Sequence, residues 1–288
     1  MSTITYKNLA SIPIKTIHKA WMNAFSDYAV PVSTTRQELT YLLERRGYEP
    51  QLSFGAFDEE VLIGFILNGI RMWNDKKTVY DTGTGLIKAY RRQGIATNIF
   101  DYSLPILKKH DIEQYLLEVL KPNKSAFDLY LKKGFQIVRE FDCYISPASP
   151  VKFRKQIVVN DVQLIEINIP DWNLFRSFWD FTPSWQNSIE ALERKQNRLT
   201  IIGLENKDGI IGYGIIEKHT GDIPQIAVHK AFRRKNFGTI LLHKLLELSR
   251  SNQLRVINAD ASNASFKSFM KSINLQPTIG QYEMLLNL

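Results

Sequence analysis

The sequence predicts an α/β chain in which one structural unit is used twice. Three observations carry that expectation. Residues 88–97 read KAYRRQGIAT and residues 230–239 read KAFRRKNFGT, an internal repeat. A companion match aligns NKSAFDLYLKKGFQ over 123–136 with NASFKSFMKSINLQ over 263–276, and the two offsets, 142 and 140, are nearly in register. Near the midpoint, Ser146-Pro147-Ala148-Ser149-Pro150 forms a Pro/Ser segment that suits neither a helix nor a strand interior. The expected domains are therefore residues 1–146 and 151–288.

Each element has a local reason. Ile4–Lys7 reads as a short strand, and Lys15–Phe25 and Thr35–Arg46 read as amphipathic helices, the second opened by cap candidates Ser33-Thr34-Thr35. Leu52–Phe57, Val61–Met72 and Thr78–Ile87 are rich in β-branched and aromatic residues and are expected as strands. Asp58-Glu59-Glu60 and Asn74-Asp75-Lys76 are the hairpin turns between them. A helix is predicted over Ile95–Lys109, kinked at Pro105. The strand Tyr115–Leu120 and the helix Asn123–Lys133 follow, with Gly134 as C-cap. Phe135–Ile145 closes the half.

The second half repeats this order, with strands at Val162–Ile167, Leu199–Leu204, Ile210–Glu217, Gln225–Val228, Leu254–Asn258 and Thr278–Leu286. Its helices are Gly238–Ser249 and Ala264–Ser272.

Composition narrows the function classes. With 288 residues, 44% apolar and 23% charged, the chain is an ordinary globular one, long enough for two cores. Its formal charge of +8 suggests an anionic partner. Cys143 is the single cysteine, so neither an internal disulfide nor a cysteine-based metal site is available, and no metal is expected. The start, MSTITYKNLA, lacks the pattern of a signal peptide, and apolar runs such as Val61–Leu67 are too short to span a bilayer. The expected location is the cytoplasm, with no membrane partner.

The chemistry concentrates in the loop Arg91-Arg92-Gln93-Gly94-Ile95-Ala96, which joins a strand to a helix. The first turn of a helix carries free N–H groups and a dipole that favours anions. Gly94 lets the backbone approach a phosphate, and a small residue at Ala96 keeps the helix start clear. A Rossmann fingerprint does not fit, because Lys88 occupies the third glycine position after Gly83-Thr84-Gly85. No G-K-[ST] of a Walker loop occurs.

Residues 78–145 resemble the GCN5-related N-acetyltransferase (GNAT) family. Its loop pattern, [RQ]-x-x-G-x-[GA], is matched by Arg91, Gly94 and Ala96. Its downstream pattern is matched in order by Asn123, Ala126, Leu129-Tyr130 and Gly134-Phe135. The resemblance implies a mixed sheet whose fourth and fifth strands splay apart. It also implies acetyl-CoA as co-substrate. The pantetheine arm would lie against Leu86 and Ile87, and the pyrophosphate on Arg91, Arg92, Gln93, Gly94, Ile95, Ala96 and Thr97, with Asn123 nearby. Tyr130 stands at the family's general-acid position, and core packing is its alternative role. Glu118, the one charge in the apolar strand Tyr115–Leu120, is the base candidate, twelve residues before Tyr130. The alternative is a structural carboxylate.

The second half departs from the pattern. Asn236 replaces the loop glycine, Met270 stands for Tyr130, Asn258 for Glu118, and Asn274-Leu275 for Gly134-Phe135. Residues 151–288 are thus expected to be a degenerate copy that supports the first, shapes its acceptor cleft, or binds ligand without turnover.

The resemblance implies an N-acetyltransferase acting on a small-molecule amine or a peptide N-terminus. The alternative is an acyl-CoA-binding or sensing module without turnover. Trp21, Phe25, Tyr28, Pro31 and Trp73 are either acceptor-site aromatics or core. The basic clusters Arg91-Arg92, Lys132-Lys133 and Arg233-Arg234-Lys235 fall on or near the proposed cofactor sites, and the sequence shows no separate basic helix and no zinc motif, so no nucleic-acid partner is expected. The chain is expected as a monomer or a homodimer.

Overall fold

The computed structural model describes residues 3–27, 34–147 and 161–288. These divide into two compact units. The first contains residues 1–119, 123–138 and 283–288; the second contains 120–122 and 139–282.

The first unit begins with β1 (Ile4–Asn8), α1 (Ile14–Ala24) and α2 (Arg36–Arg46). Thr35 caps α2 through a reciprocal box with Glu38, and Gly47, at φ +80°, ends it. A meander of β2 (Phe54–Asp58), β3 (Val61–Trp73) and β4 (Lys76–Leu86) follows. Asn74 and Asp75 both take positive φ at the β3–β4 hairpin, as such tight turns require. Strands β1 to β4 pair antiparallel in sequence order. Helix α3 (Ile95–Lys109) runs through Pro105 and leads to β5 (Gln114–Leu120) and α4 (Lys124–Lys132). Strand β5 pairs parallel with β4, so the sheet is mixed. Its core gathers Ile17, Trp21, Leu39, Leu43, Phe57 and Phe65. Gly83 and Gly85 of β4 make room for it: a Cβ at either would lie 2.5 Å from the Trp21 or Phe65 ring. That explains the G-x-G in the sequence as packing. Trp21 is thus a core residue, with Phe25 against it at 4.5 Å between ring centroids. Tyr28 and Pro31 lie outside the described residues.

The chain then forms β6 (Gln136–Pro147), which runs through Ser146 and Pro147 of the segment expected to resist regular structure. The remaining linker positions, 148–150, lie outside the described residues.

The second unit repeats the order: β7 (Gln163–Glu166), α5 (Trp172–Ser177), α6 (Ile189–Glu193), β8 (Leu199–Asn206), β9 (Gly209–Glu217), β10 (Asp222–Val228), α7 (Phe237–Leu248), β11 (Gln253–Asp260), α8 (Ala264–Ser272) and β12 (Ile279–Asn287). Strands β7 to β10 pair antiparallel, β11 joins β10 in parallel, and β11 pairs antiparallel with β6 over residues 141–147. Leu241, Leu242 and Leu245 of α7 form its core with Ile216, Leu254 and Met270.

The closing strands are shared out across the sequence order. Residues 139–147 of β6 belong to the second unit, and residues 283–287 of β12, with Leu288 after it, belong to the first. There the Leu288 amide donates to the Glu113 carbonyl at 2.9 Å. Among the described residues, no helix is long and apolar enough to cross a membrane.

Candidate active site

The first unit places the loop of residues 88–97 at the mouth of its sheet. A short turn, Lys88–Tyr90, ends β4, and Arg92 and Gly94 both take left-handed backbone, at φ +63° and +76°. The first bond inside α3 runs from Asn98 N–H to the Gly94 carbonyl at 3.0 Å. The N–H groups of Ile95, Ala96 and Thr97 therefore have no acceptor within the helix. Left-handed residues alternating with ordinary ones turn successive amides to one side, which makes an anion nest. A Cβ built on Gly94 meets nothing within 4 Å, so the approach to those amides is open.

The two arginines do different work. The Arg91 guanidinium donates to the Leu86 carbonyl at 3.2 Å, the Ala24 carbonyl at 2.8 Å and both oxygens of Asp27 at 2.9 and 2.7 Å. It straps the loop to the end of α1, and it holds the Asp27 carboxyl below its ordinary value through that hydrogen bond. Arg92 is exposed. Gln93 donates back to the Ala89 carbonyl at 3.1 Å, bracing the turn. Asn123 caps α4, accepting from Ala126 N–H at 3.3 Å.

Strand β4 pairs with β5 only from Thr78 to Tyr80, opposite Gln114 to Leu116. Beyond that point, toward Leu86 and Ile87, no β5 pairing continues. A cluster of polar side chains stands at this divergence. Tyr130, buried on α4 among Phe100 and Phe135, donates its hydroxyl to Asp81 Oδ2 at 3.3 Å. Asp81 also accepts from Gly83 N–H at 2.8 Å and Thr84 Oγ1 at 2.6 Å. Burial pushes the Asp81 carboxyl up to about 6, against the opposing pull of those donors and of the Arg46 charge. Glu118 is half-buried on β5 and hydrogen-bonds the Tyr80 hydroxyl. Burial, then the Glu118 charge, raises the Tyr80 phenol well above its ordinary value. Tyr115 gives its hydroxyl to Asn68 Oδ1 at 2.6 Å.

Sequence reading singled out Tyr130 and Glu118 and passed over Asp81. The signal was the one that marked Glu118: Asp81 is the single charge in the run Thr78–Ile87. Adjacent Gly83-Thr84-Gly85 drew attention to a nucleotide motif instead.

The second unit repeats the strap. Arg233 donates to the Val228 carbonyl at 2.9 Å, the Phe178 carbonyl at 3.0 Å and both oxygens of Asp180 at 2.9 and 2.7 Å. Asn236 takes the left-handed conformation of the missing glycine, at φ +66°. Met270 and Asn258, at the positions of Tyr130 and Glu118, are buried. Asn258 accepts from Gln281 Nε2 at 2.7 Å and donates to Ser184 Oγ at 3.1 Å. Among the described residues, no group of His, Cys, Asp and Glu is arranged to hold a metal.

Comparison with known proteins agrees with the repeated architecture. The model of the acetyltransferase (GNAT) family matches residues 16–135 and again 163–271. Among curated relatives, N-alpha-acetyltransferase 50 of Danio rerio is 28% identical over 96 residues, covering 33% of this chain and 57% of that protein. N-alpha-acetyltransferase 30 of Schizosaccharomyces pombe is 30% identical over 88 residues, covering 30% and 58%. The chain thus spans little more than half the length of these relatives. Among solved structures, a tandem GNAT protein from the clavulanic acid biosynthesis pathway superposes with a TM-score of 0.73 at 14% identity, covering 99% of this chain and 98% of that one. A putative acetyltransferase from Pyrococcus horikoshii gives 0.69 at 18% identity, covering 99% and 89%. At these identities the structures speak for the fold alone.

Proposed function

We propose, from the premise that this chain belongs to the acetyltransferase (GNAT) family, that its first unit transfers an acetyl group from acetyl-CoA to a primary amine. The observation that carries this reading is a juxtaposition in that unit. An open anion nest at Arg92–Thr97 and a buried Asp81–Tyr130 pair stand at the two ends of the unpaired stretch of β4. The domain assignment follows: residues 1–146 supply catalysis and residues 151–288 are the degenerate copy.

The nest amides and Arg92 would take the pyrophosphate. The pantetheine amides would pair with the β4 edge near Leu86 and Ile87, as an added strand does. Arg91 contributes by fixing the loop, and Asn123 by fixing the start of α4. The amine nitrogen attacks the thioester carbonyl carbon, so that an N–C bond forms and the C–S bond breaks. Two protons must move. Glu118 takes the one released by the nitrogen. The departing thiolate receives one from the Tyr130 hydroxyl, which Asp81 orients. Solvent then returns a proton to Tyr130 and removes one from Glu118, so amine and thioester become amide and thiol with the site restored.

The acceptor amine is proposed as a peptide N-terminus before a small molecule, since the curated relatives are N-alpha-acetyltransferases by name. The test is a thiol-release assay with acetyl-CoA against a panel of N-terminal peptides, amino sugars and polyamines. Acceptor-dependent release with at least one peptide is the expected result. Tight binding of acetyl-CoA with no release across the panel would leave a binding module without turnover.

A further inference from the structure

Strand β4 carries a bulge two residues past its last pair with β5. Leu67 faces Gly83 and Asn68 faces Asp81, so Thr82 has no opposite residue on β3. A bulge bends its strand and takes a peptide group out of the ladder. Local bonds brace part of this one: Asp81 accepts from Gly83 N–H and Thr84 Oγ1, and the Thr82 hydroxyl donates to the Leu67 carbonyl at 3.0 Å. A further bond comes from far along the chain. Arg46 Nη1, at the end of α2, donates to the Thr82 carbonyl at 2.8 Å.

Gly69 explains how Arg46 comes to stand there. A Cβ at this position would lie 2.2 Å from the Arg46 carbonyl oxygen, so glycine is what lets the end of α2 lie on β3. Ile70 N–H then donates to the Gly47 carbonyl at 3.0 Å, and Glu49 N–H donates to the Asn68 carbonyl at 2.7 Å. The Arg46 backbone is fixed to β3 on both sides of Gly69, and its side chain reaches on to β4.

A guanidinium on the carbonyl of residue 82 is one residue from the Asp81 carboxylate, and its charge favours the ionised form. Other groups face Asp81 from every neighbouring element. They are the Thr84 hydroxyl and Gly83 amide on its own strand, the Tyr130 hydroxyl from α4 and the Tyr115 phenol from β5, which Asn68 of β3 engages. Arg46 is the cation among them. Tyr80, the preceding residue, hydrogen-bonds Glu118 of β5 and feels the same cation.

We propose that Arg46 is a positioning residue for the reaction of the first unit: it clamps the β4 bulge and places a positive charge beside Asp81, which in turn orients Tyr130. The role rests on the acetyl transfer proposed for that unit, while the bulge and its clamp stand apart from it.

Three substitutions separate the parts. Arg46→Lys keeps the charge, Arg46→Gln keeps a neutral donor, and Arg46→Met keeps neither. The acid limb of turnover, which tracks the Asp81 carboxyl at about 6, should move to higher pH in Arg46→Gln and Arg46→Met and stay in place in Arg46→Lys. Coenzyme A affinity should be unchanged in all three. A second measurement needs no turnover. The carboxyl, raised by burial, stabilises the fold at low pH and loses that contribution as pH rises through its folded value. The difference in unfolding midpoint between each variant and its double with Asp81→Asn should therefore change at a higher pH once the Arg46 charge is gone. A limb and a midpoint transition that stay at the wild-type pH in both neutral variants would overturn the proposal. An equal shift in Arg46→Lys would do the same, because the charge would then not be what acts. A shifted midpoint transition in a chain that releases no thiol with any acceptor would uphold the hold of Arg46 on Asp81 and sink the acetyl transfer that it serves.

Discussion

At the scale of single residues, Asp81 and Tyr130 act as a pair. Removing the hydroxyl alone tests the acid: Tyr130→Phe should lower turnover by ~10²-fold, the size of a lost general acid, with coenzyme A affinity unchanged. Steady-state kinetics beside calorimetry checks both halves, and unchanged turnover would return Tyr130 to the core. Asp81 makes the prediction pH-dependent. Its carboxyl, held at about 6 by burial, orients Tyr130 best when ionised, so wild-type turnover should fall as pH drops through about 6. Asp81→Asn should lower the plateau and lose that acid limb. Stability responds to pH in the opposite sense. A carboxyl with a folded-state value above its unfolded one favours the folded state most at low pH, and that contribution is lost as pH rises through about 6. The difference in unfolding midpoint between wild type and Asp81→Asn should therefore shift in the variant's favour between about pH 4 and 7. A constant difference would show that Asp81 does not titrate there.

At the scale of elements, the repeated Arg-Arg pair divides its labour by position. The first arginine of each pair, Arg91 or Arg233, ties three kinds of acceptor at once: a strand carbonyl, a helix-end carbonyl and a carboxylate. Lysine lacks the planar fork for that. Arg91→Lys should lower stability by about 1 kcal/mol, from part-buried acceptors left unmet, or about 2–4 °C in midpoint. Coenzyme A affinity should weaken less than in Arg92→Ala. Differential scanning calorimetry with a binding titration separates the two, and the reverse ranking would make Arg91 a direct phosphate ligand. Much at this scale was legible in the sequence. Richness in β-branched and aromatic residues gave the β2–β4 meander, and Asn74-Asp75 gave its β3–β4 turn. The repeat gave both loops, because a loop that must present backbone amides repeats its left-handed residues. Asp81 was legible only as the single charge in the run Thr78–Ile87, beside the local donors Gly83 and Thr84; its pairing with Tyr130 was not, since that hydroxyl arrives only when α4 folds onto β4.

At the scale of the whole molecule, the sequence order hides an exchange. The Pro/Ser segment marks a midpoint in the chain, yet residues 139–147 belong to the second unit and 283–288 to the first. Sequence pattern has no access to this, because it marks β6 and β12 as strands without saying which neighbours they pair with. The arrangement has a thermodynamic consequence. A unit deprived of its closing strand exposes an unpaired edge and the apolar side chains beneath it. Residues 1–147 expressed alone lack Glu283–Leu288, and residues 161–288 expressed alone lack the strand 139–147. Each should therefore expose apolar surface, bind a hydrophobic dye and lack a cooperative thermal transition, whereas the two coexpressed should copurify and regain one. Truncation after Tyr282 is the milder form. It removes the Leu288 bond to Glu113 and the strand end around it. It should lower protection of the first unit's amides in hydrogen exchange while leaving α7 and β9 of the second unit as protected as in the full chain. If residues 1–147 instead unfold cooperatively on their own at the wild-type midpoint, the closing strand of each half serves its own unit and the exchange has no energetic weight.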